Sequence, residues 1–215
     1  MNGSGACVSS AWIAVIPSAA SELFARRGYS AVTTQEIADA ADVGTGTLFR
    51  YFPTKADLFV EVMNRKVSDG IRHGVAAAES GADPADAIVA LIAPLAQAGE
   101  EQPENITAYQ RETLFGPENL RAIGVAHGMA MPDAIEQILQ RHADDHAVRP
   151  GVNVRDVADA TYAMIWLEGL RVTTQGQATD AQRVERLVRF LIEGLLRTDA
   201  GSPTSAPHPE PPATP

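Results

Sequence analysis

The chain has 215 residues, of which 45% are hydrophobic, and a formal net charge of -10. This length and composition fit a globular protein of one large domain or two small ones. Cys7 is the single cysteine, which excludes an internal disulfide framework and a metal site built on several thiolates. No run reaches the ~18 apolar residues of a membrane span, and no basic residue precedes the short apolar segment AWIAVI. We therefore expect neither a membrane protein nor a secretory signal, and the expected location is the cytoplasm.

The charge is distributed unevenly along the chain. Residues 1–66 contain six basic and six acidic side chains. Residues 67–215 contain eleven arginines and twenty-one acidic residues, and 11 minus 21 accounts for the whole charge of -10. A neutral part can approach a polyanion, whereas an acidic part is repelled by one. The two parts are therefore predicted to have different partners.

Apolar residues recur at helical spacing, with Gly, Pro and Asp at the breaks, so the predicted class is all-α. Pro17 is predicted to start the first helix, because proline fits a first turn and loses a hydrogen bond in a helix interior. The Pro-rich tail from Thr198 has little apolar surface to bury and is expected to be disordered. The spacing predicts helices over 17–27, 34–41, 45–51, 55–79, 84–98, 104–115, 117–126, 132–146, 153–175 and 179–197.

Composition also predicts a domain organisation. The sequence becomes Ala-rich and acidic after GADPAD, and the long 55–79 helix is predicted to be shared between a small N-terminal unit and a larger body, with the junction near Val67. The predicted segments are a poorly ordered extension over 1–16, a three-helix unit over 17–66, a helical body over 67–197 and the tail over 198–215.

The segment 33–55 reads TTQEIADAADVGTGTLFRYFPTK. Thr33 and Glu36 have the spacing of a capping box, and Thr54 with Asp57 repeats it at the next helix start. A Val-Gly pair makes the turn between two short helices. Two short helices joined by a three- to four-residue turn are a helix-turn-helix arrangement, whose second helix can enter the DNA major groove.

Polar side chains on the outer face of this segment suit contact with DNA. Threonine can contact base edges or phosphates, the tyrosine hydroxyl can donate to a phosphate, and a lysine at the next helix start can pair with one. A glycine lets the backbone approach the duplex. The alternative is that these are ordinary exposed polar residues between packed helices. The predicted DNA-binding residues are Thr33, Thr34, Gln35, Thr45, Gly46, Thr47, Phe49, Arg50, Tyr51 and Lys55.

The longer stretch ELFARRGYSAVTTQEIADAADVGTGTLFRYFPTKADLF resembles the N-terminal DNA-binding region of TetR-family transcriptional regulators. The agreement runs without a gap over about residues 18–60. The resemblance implies an all-α fold, in which a three-helix DNA-binding domain is joined to a helical ligand-binding and dimerisation domain. It also implies a homodimer through the last two long helices, and a repressor that a small molecule releases from its operator. The matching positions include Leu23-Phe24, Gly28, Thr33, Ile37-Ala38, Ala40-Ala41, Val43, Gly46-Thr47-Leu48-Phe49, Tyr51-Phe52, Lys55 and Leu58.

The sequence departs from the family pattern at the start of the recognition helix. Relatives usually have Ser or Thr where Gly44 stands, and often a basic residue where Thr45 stands. Glycine caps a helix less well by a few tenths of a kcal/mol, so this helix is expected to fray more when unbound. The missing charge at Thr45 is expected to lower non-specific DNA affinity. Residues 1–16 contain no basic side chain, so no cationic arm is expected to reach DNA.

Residues 154–172 and 184–196 are apolar over a broad arc, so each helix must bury a core face and a second surface. One interpretation is a pair of central core helices in a monomer. The other, which the resemblance favours, is a four-helix interface with a second copy, which supplies the twofold axis that two DNA-reading heads need. The predicted interface residues are Tyr162, Ile165, Leu167, Val184, Leu187, Val188, Leu191 and Leu195.

An effector pocket is predicted in the middle of the body, although methionines and aromatic residues at helical spacing are also typical of plain core. The stretch GVAHGMAMP, residues 124–132, is predicted to be a flexible connection between two helices that gates this pocket. The predicted lining residues are Tyr109, Leu114, Phe115, Met129, Met131, Met164 and Trp166.

The sequence shows little sign of catalytic or metal chemistry. His142 and His146 share a helix face, with His127 upstream, but no Glu lies within the pair as in HExxH, so solvated side chains are favoured over a metal site. No GxSxG, P-loop or strand-flanked GxGxxG occurs, and neither a cofactor nor an enzyme is predicted. The predicted partners are a double-stranded DNA operator, a small-molecule effector and a second copy of the chain. A helical small-molecule-binding protein or enzyme without DNA binding, and an activator, remain alternatives.

Overall fold

The computed structural model describes residues 5–145 and 151–196, with side chains over 14–144 and 151–193. These residues form helices and no strand, which confirms the all-α prediction. No helix among them is long and apolar enough to cross a membrane. The tail from Thr198 and the imidazole of His146 lie outside the described residues. The helices are α1 (Gly5–Ala31), α2 (Thr34–Ala40), α3 (Thr45–Tyr51), α4 (Lys55–Glu79), α5 (Pro84–Glu101), α6 (Pro103–Phe115), α7 (Glu118–Asp145), α8 (Val154–Gln175) and α9 (Ala181–Leu196).

The first helix begins at Gly5, so the prediction that Pro17 starts it is wrong. Pro17 lies inside α1, where its missing amide hydrogen costs one helical hydrogen bond. The residues before it form an apolar run without a second proline, and Ile16 is completely buried. Burial of that turn therefore offsets the lost hydrogen bond. Helical geometry is interrupted at Gly28, whose φ of 77° is a conformation that glycine adopts without strain.

Residues 14–63, here called the head, pack α1, α2, α3 and the start of α4 around one apolar core. Phe24 meets Phe59 edge to face, with ring centroids 5.0 Å apart. The two predicted capping boxes are confirmed, one at the start of α2 and one at the start of α4. The turn between α2 and α3 places Asp42 in the left-handed region at φ 53°, which aspartate tolerates better than most residues.

The remaining residues, here called the body, form a second apolar core between α4, α5, α7, α8 and α9. The helix α4 runs through both units, because Met63 packs into the head core and Val67 into the body core. The head core also takes in Ile106 of α6 and Val172 of α8. The head is therefore packed against the body and is not merely tethered by α4.

The helix α7 is continuous from Glu118 to Asp145, so the predicted flexible connection over residues 124–132 is wrong. Its glycines serve close packing between helices. A Cβ on Gly124 would lie 2.8 Å from the Thr113 side chain of α6, and one on Gly128 would lie 3.5 Å from the Tyr162 hydroxyl of α8. Because neighbouring helices hold this stretch on two sides, it stays helical despite its glycines and Pro132.

Candidate DNA-binding surface and effector cavity

The short helix α3 lies at the surface and is anchored by a single fully buried side chain. Leu48 has no exposed surface. On the opposite face Gly46, Phe49 and Arg50 are exposed, and the Phe49 side chain keeps 45% of its surface in solvent. The other predicted residues of this helix, Thr45, Thr47 and Tyr51, are half-buried. The helix N-cap, Gly44, forms no side-chain capping bond, as its lack of a side chain dictates.

The predicted DNA-binding residues before α3 surround the start of α2, which packs against α3. Thr33 is exposed, but its hydroxyl donates to Glu36 Oε2 at 2.8 Å and accepts from the Glu36 amide at 3.2 Å. Gln35 is exposed and donates from Nε2 to Asp39 Oδ1 at 2.7 Å, whereas Thr34 is half-buried. Thr33 therefore caps α2, and this role is independent of any contact with DNA.

Lys55, the predicted phosphate contact at the start of α4, lies against the head. Its ammonium is 3.5 Å from the carbonyl oxygen of Ser30 and 4.4 Å from the centroid of the Tyr29 ring. Burial lowers the pKa of Lys55, and the charges of Glu104 and Glu36 oppose that change. The side chain must swing away from Tyr29 before it can reach a phosphate.

The carboxylate of Glu36 joins the capping box to α1. Arg27 Nη1 donates to Glu36 Oε1 at 2.7 Å. This hydrogen bond, followed by those from the Thr33 backbone and hydroxyl, lowers the pKa of Glu36 to about 2. A lowered carboxyl pKa contributes stability that is complete above the ordinary value of 4.5 and is lost as pH falls through about 2.

We expect NMR titration of Glu36 to give a pKa near 2, and the variant Arg27→Ala to raise it towards 4.5, because the largest cause of the lowering is removed. Arg26→Ala is the matched control, since Arg26 faces Glu22 at 3.7 Å instead of Glu36. An unchanged Glu36 pKa in Arg27→Ala would contradict this assignment.

The body encloses an apolar cavity of about 170 Å³ between α4, α5, α6, α7 and α8, with Val184 of α9 at its edge. Four of the predicted pocket residues line it: Tyr109, Leu114, Met131 and Trp166. Leu114 and Trp166 are 41% and 40% exposed, so they lie where the cavity opens to solvent. The cavity lies beside the junction of α4, whose Val67 also lines it.

Three predicted pocket residues lie outside the cavity, because their positions along the helices direct the side chains away from it. The α7 residues at the cavity are 124, 127, 128 and 131, and Met129 falls between them on the outer face with 63% exposure. The α8 residues at the cavity begin at Tyr162 and Ile165, and Met164 packs on the body core. Phe115 ends α6 and is 82% exposed. Each α-helix residue turns by about 100°, so apolar character alone does not assign a side chain to a cavity.

Sequence reasoning placed Tyr109 at the cavity but missed the polar partners of its hydroxyl. The Tyr109 hydroxyl donates to Asn64 Oδ1 at 3.0 Å and lies 3.2 Å from His127 Nδ1. Burial raises the pKa of Tyr109 strongly and lowers the pKa of His127, so both are neutral at pH 7. The i, i+3, i+4, i+7 spacing of 124, 127, 128 and 131 is the signal that would have placed His127 here.

Some of the predicted dimer residues are buried within the body, and others are exposed to solvent. Val184 and Val188 are 4% and 0% exposed in the body core, so these two do not form a free interface, whereas Tyr162 and Ile165 are half-buried and line the cavity. Leu167 is 52% exposed, and Phe190, absent from the prediction, is 74% exposed. Leu187 and Leu191 are half-buried, and the side chain of Leu195 lies outside the described residues. The apolar residues of α9 therefore form two stripes, one that packs in the body core and one that faces outward.

The head and the body are joined by polar contacts at the start of α6. Asn105 Nδ2 donates to the Phe24 carbonyl at 2.9 Å, and Glu104 Oε1 accepts from the Ser30 amide at 2.9 Å. Gln102 Nε2 adds a bond of 3.2 Å to the carbonyl of Arg26. The same helix supplies Tyr109 to the cavity, so α6 contacts both the cavity and the end of α1.

Two of the three imidazoles that sequence reasoning considered for a metal, those of His127 and His142, lie within the described residues and are far apart along α7. His127 lies in the cavity beside Tyr109, and His142 lies near the end of α7. Within the described part of the chain, no three His, Cys, Asp or Glu side chains are grouped closely enough to hold a metal ion.

Comparison with known proteins gives matches to both units. Residues 16–62 match the family model described as bacterial regulatory proteins, tetR family. The chain is 29% identical over 173 residues to the HTH-type transcriptional repressor KstR of Mycobacterium tuberculosis, covering 77% of this chain and 73% of that protein. KstR of Rhodococcus jostii is 28% identical over 173 residues, with coverage of 79% and 77%.

A solved structure agrees with the fold along almost the whole chain. FadR of Thermus thermophilus, described as a TetR-family transcriptional repressor in complex with lauroyl-CoA, superposes with a TM-score of 0.63. The alignment covers 89% of this chain and 98% of that one, at 24% identity. This likeness concerns the architecture of the helices.

A helix-turn-helix head with an outward second helix, packed on a helical body with an apolar cavity, defines a DNA-binding transcriptional regulator. The head sequence, the curated relatives and the solved fold agree on one group of such proteins. The DNA-binding head, residues 16–62, belongs to the TetR family of bacterial regulatory proteins.

Proposed function

We propose that the protein is a homodimeric repressor that binds its operator through α3 and is released when a small molecule occupies the body cavity. In this proposal residues 17–66 read DNA and residues 67–197 dimerise and bind the effector. The protein acts in the cytoplasm and catalyses no reaction. The observation that carries the proposal is the exposure of α3, with only Leu48 of that helix fully buried and Gly46, Phe49 and Arg50 turned to solvent.

Electrostatics support DNA binding by the head and not by the body. Residues 1–66, which contain the head, have no net charge, whereas the rest of the chain has a formal charge of -10. A phosphate backbone is therefore repelled less by residues 1–66 than by the acidic remainder of the chain. Specific contacts must come from α3, since the major groove accepts one helix.

Dimerisation is supported by the outer face of α8 and α9. On α9 Phe190 is 74% exposed, and Leu187 and Leu191, three residues before it and one after it, are partly exposed, while on α8 Leu167 is 52% exposed. Large apolar side chains grouped on a surface mark an association site. A second copy placed there would give the twofold symmetry of a palindromic operator.

The route from cavity to DNA runs along α6. Its residues Ile106 and Tyr109 line the cavity, and its first residues bond to the backbone of α1. A ligand that moves α6 within the cavity would therefore move the attachment of the head. A ligand that binds more tightly to the conformation that does not fit the operator shifts the population of the protein towards that conformation and away from the DNA complex.

The test is a mobility-shift titration with DNA flanking the protein's own gene, together with selection from random duplexes at low salt. A shifted complex with two protein chains per duplex is the expected result. Tight small-molecule binding without any DNA affinity would instead support the alternative, a helical ligand-binding protein that reuses the fold.

Substitutions in the head should separate sequence reading from phosphate contact. We expect Tyr51→Phe and Lys55→Ala to weaken binding to all duplexes about equally, and Thr47→Ala to change the preferred sequence. The Lys55→Ala variant should also lower the salt slope of binding by about one.

Affinities for the selected operator and for single-base variants, measured between low and physiological salt, check this division. Ser80→Ala is the control, because Ser80 is exposed at the far end of α4. Equal, sequence-independent losses in all three head variants would contradict the separate roles.

A further inference from the structure

We propose that the body cavity selects an uncharged apolar molecule with a hydroxyl group, and rejects a carboxylate or an amine of the same size. This inference rests on the proposed function only in so far as the body binds an effector. It names the chemical class of that effector from the groups that line the cavity, and it is tested on ligand binding without DNA.

The cavity lining offers no unpaired cation to an anion. Among the described residues that line it, none is Lys or Arg. Its ionised group is Glu168, which is 12% exposed and receives Arg183 Nε at 3.2 Å, with Arg171 Nη1 at 3.9 Å. A carboxylate that entered would lose its hydration and would have to compete with Glu168 for these two guanidinium groups.

A cation is disfavoured for a related reason. The carboxylate of Glu168 is already paired with two arginines, and a ligand ammonium would have to displace them. The other polar side chains of the cavity are amides, hydroxyls, phenols and one imidazole. Such groups exchange hydrogen bonds with a neutral ligand and give no charge compensation to an ion.

The hydroxyl preference follows from the chain of hydrogen bonds through Tyr109. A phenol has one proton, and Tyr109 donates it to Asn64 Oδ1 at 3.0 Å. The phenol oxygen must therefore accept from His127 Nδ1–H, which lies 3.2 Å away. Burial lowers the pKa of His127, so the ring stays neutral and its Nε2 is an acceptor. Because His127 lines the cavity, a ligand hydroxyl can donate to this nitrogen.

The volume limits the size of the part of the ligand that the cavity holds. An apolar cavity of about 150 Å³ holds a benzene ring, so about 170 Å³ accepts a ring or a short chain of roughly eight carbon atoms. Longer molecules can extend past Leu114 and Trp166, which are partly exposed at the opening. Eight-carbon probes therefore test the cavity without depending on its surroundings.

The full-length protein is titrated at pH 7.5 with octan-1-ol, octanoate and octylammonium, without DNA. Calorimetry and the fluorescence of Trp166, which lines the cavity, report binding, and Trp166→Phe identifies that signal against Trp12. We expect octan-1-ol to bind at least tenfold more tightly than either ion. Octanoate or octylammonium binding as tightly as octan-1-ol overturns the proposal.

Two variants test the physical reasons. Tyr109→Phe removes the oxygen that accepts from His127 Nδ1–H, so the tautomer with an acceptor at Nε2 is no longer favoured, and octan-1-ol binding should weaken about five- to tenfold. Tyr29→Phe, a phenol in the head, should leave it unchanged. Leu114→Lys places a cation at the opening and should create octanoate binding, which Leu114→Gln should not. A folded Leu114→Lys protein that still ignores octanoate overturns the charge argument.

Mobility shifts on the same samples separate the two proposals. Selective octan-1-ol binding by a protein that never binds DNA leaves the cavity inference standing and removes the repressor function. DNA binding by a protein whose cavity prefers octanoate removes the cavity inference and leaves the repressor function standing.

Discussion

Leu48→Ala is expected to lower the free energy of unfolding by about 2–5 kcal/mol, the usual range for a leucine truncated in a packed core. Leu48 is completely buried, and it is the fully buried side chain by which α3 is held to the head. The helix has seven residues and lacks a capping side chain, so it has little stability of its own. Loss of this anchor should therefore release the whole recognition helix and abolish DNA binding.

The neighbouring residue supplies a matched control. Phe49 is 45% exposed, so Phe49→Ala should change the stability by less than about 1 kcal/mol while weakening DNA binding. Urea unfolding followed by circular dichroism at fixed protein concentration, with mobility shifts on the same samples, measures both effects. If Phe49→Ala destabilised the protein as much as Leu48→Ala, the assigned orientation of α3 would be wrong.

Gly70→Ala is expected to destabilise the body by roughly 2 kcal/mol or more, although alanine improves helix propensity by about 1 kcal/mol. A Cβ at Gly70 would collide with the carbonyl oxygen of Leu91 on α5. One turn later, a Cβ at Gly74 would lie 2.6 Å from the Leu91 Cβ and 2.8 Å from the Ala87 oxygen. Backbone cannot move aside as a flexible side chain can, so α4 and α5 must separate.

The control for this effect is Ser68→Ala on the same helix. Ser68 is exposed, so the substitution should stay within about 0.5 kcal/mol of the parent. Because α4 leads directly into the head, Gly70→Ala should also change DNA affinity in the fraction that remains folded. Thermal and urea unfolding that place Gly70→Ala level with Ser68→Ala would show that α4 and α5 do not meet as closely as described.

The head was predictable in detail because its signals are local. Each capping box joins residues three positions apart, and both are present where the sequence placed them. The bounds of α3 and α4 also match the predicted 45–51 and 55–79. A short stretch with several such signals at fixed spacing leaves few alternative structures.

The start of α1 and the continuity of α7 were wrong for one shared reason. Proline and glycine were interpreted as helix breakers, which holds for an isolated helix. In the folded chain Ile16 is buried beside Pro17, and Gly124 lies against Thr113. Tertiary contacts outweighed the local preference at both places.

By itself the sequence determined the helical class, the helix-turn-helix head and the polar face of α3, since these follow from periodicity and from hydrogen bonds between near neighbours. Only the tertiary structure decided which apolar residues meet at the cavity and which remain outside. Val188 and Phe190 are two positions apart on α9, yet one is buried and the other is 74% exposed. The direction of each side chain depends on the phase of its helix against distant neighbours, and no local spacing contains that information.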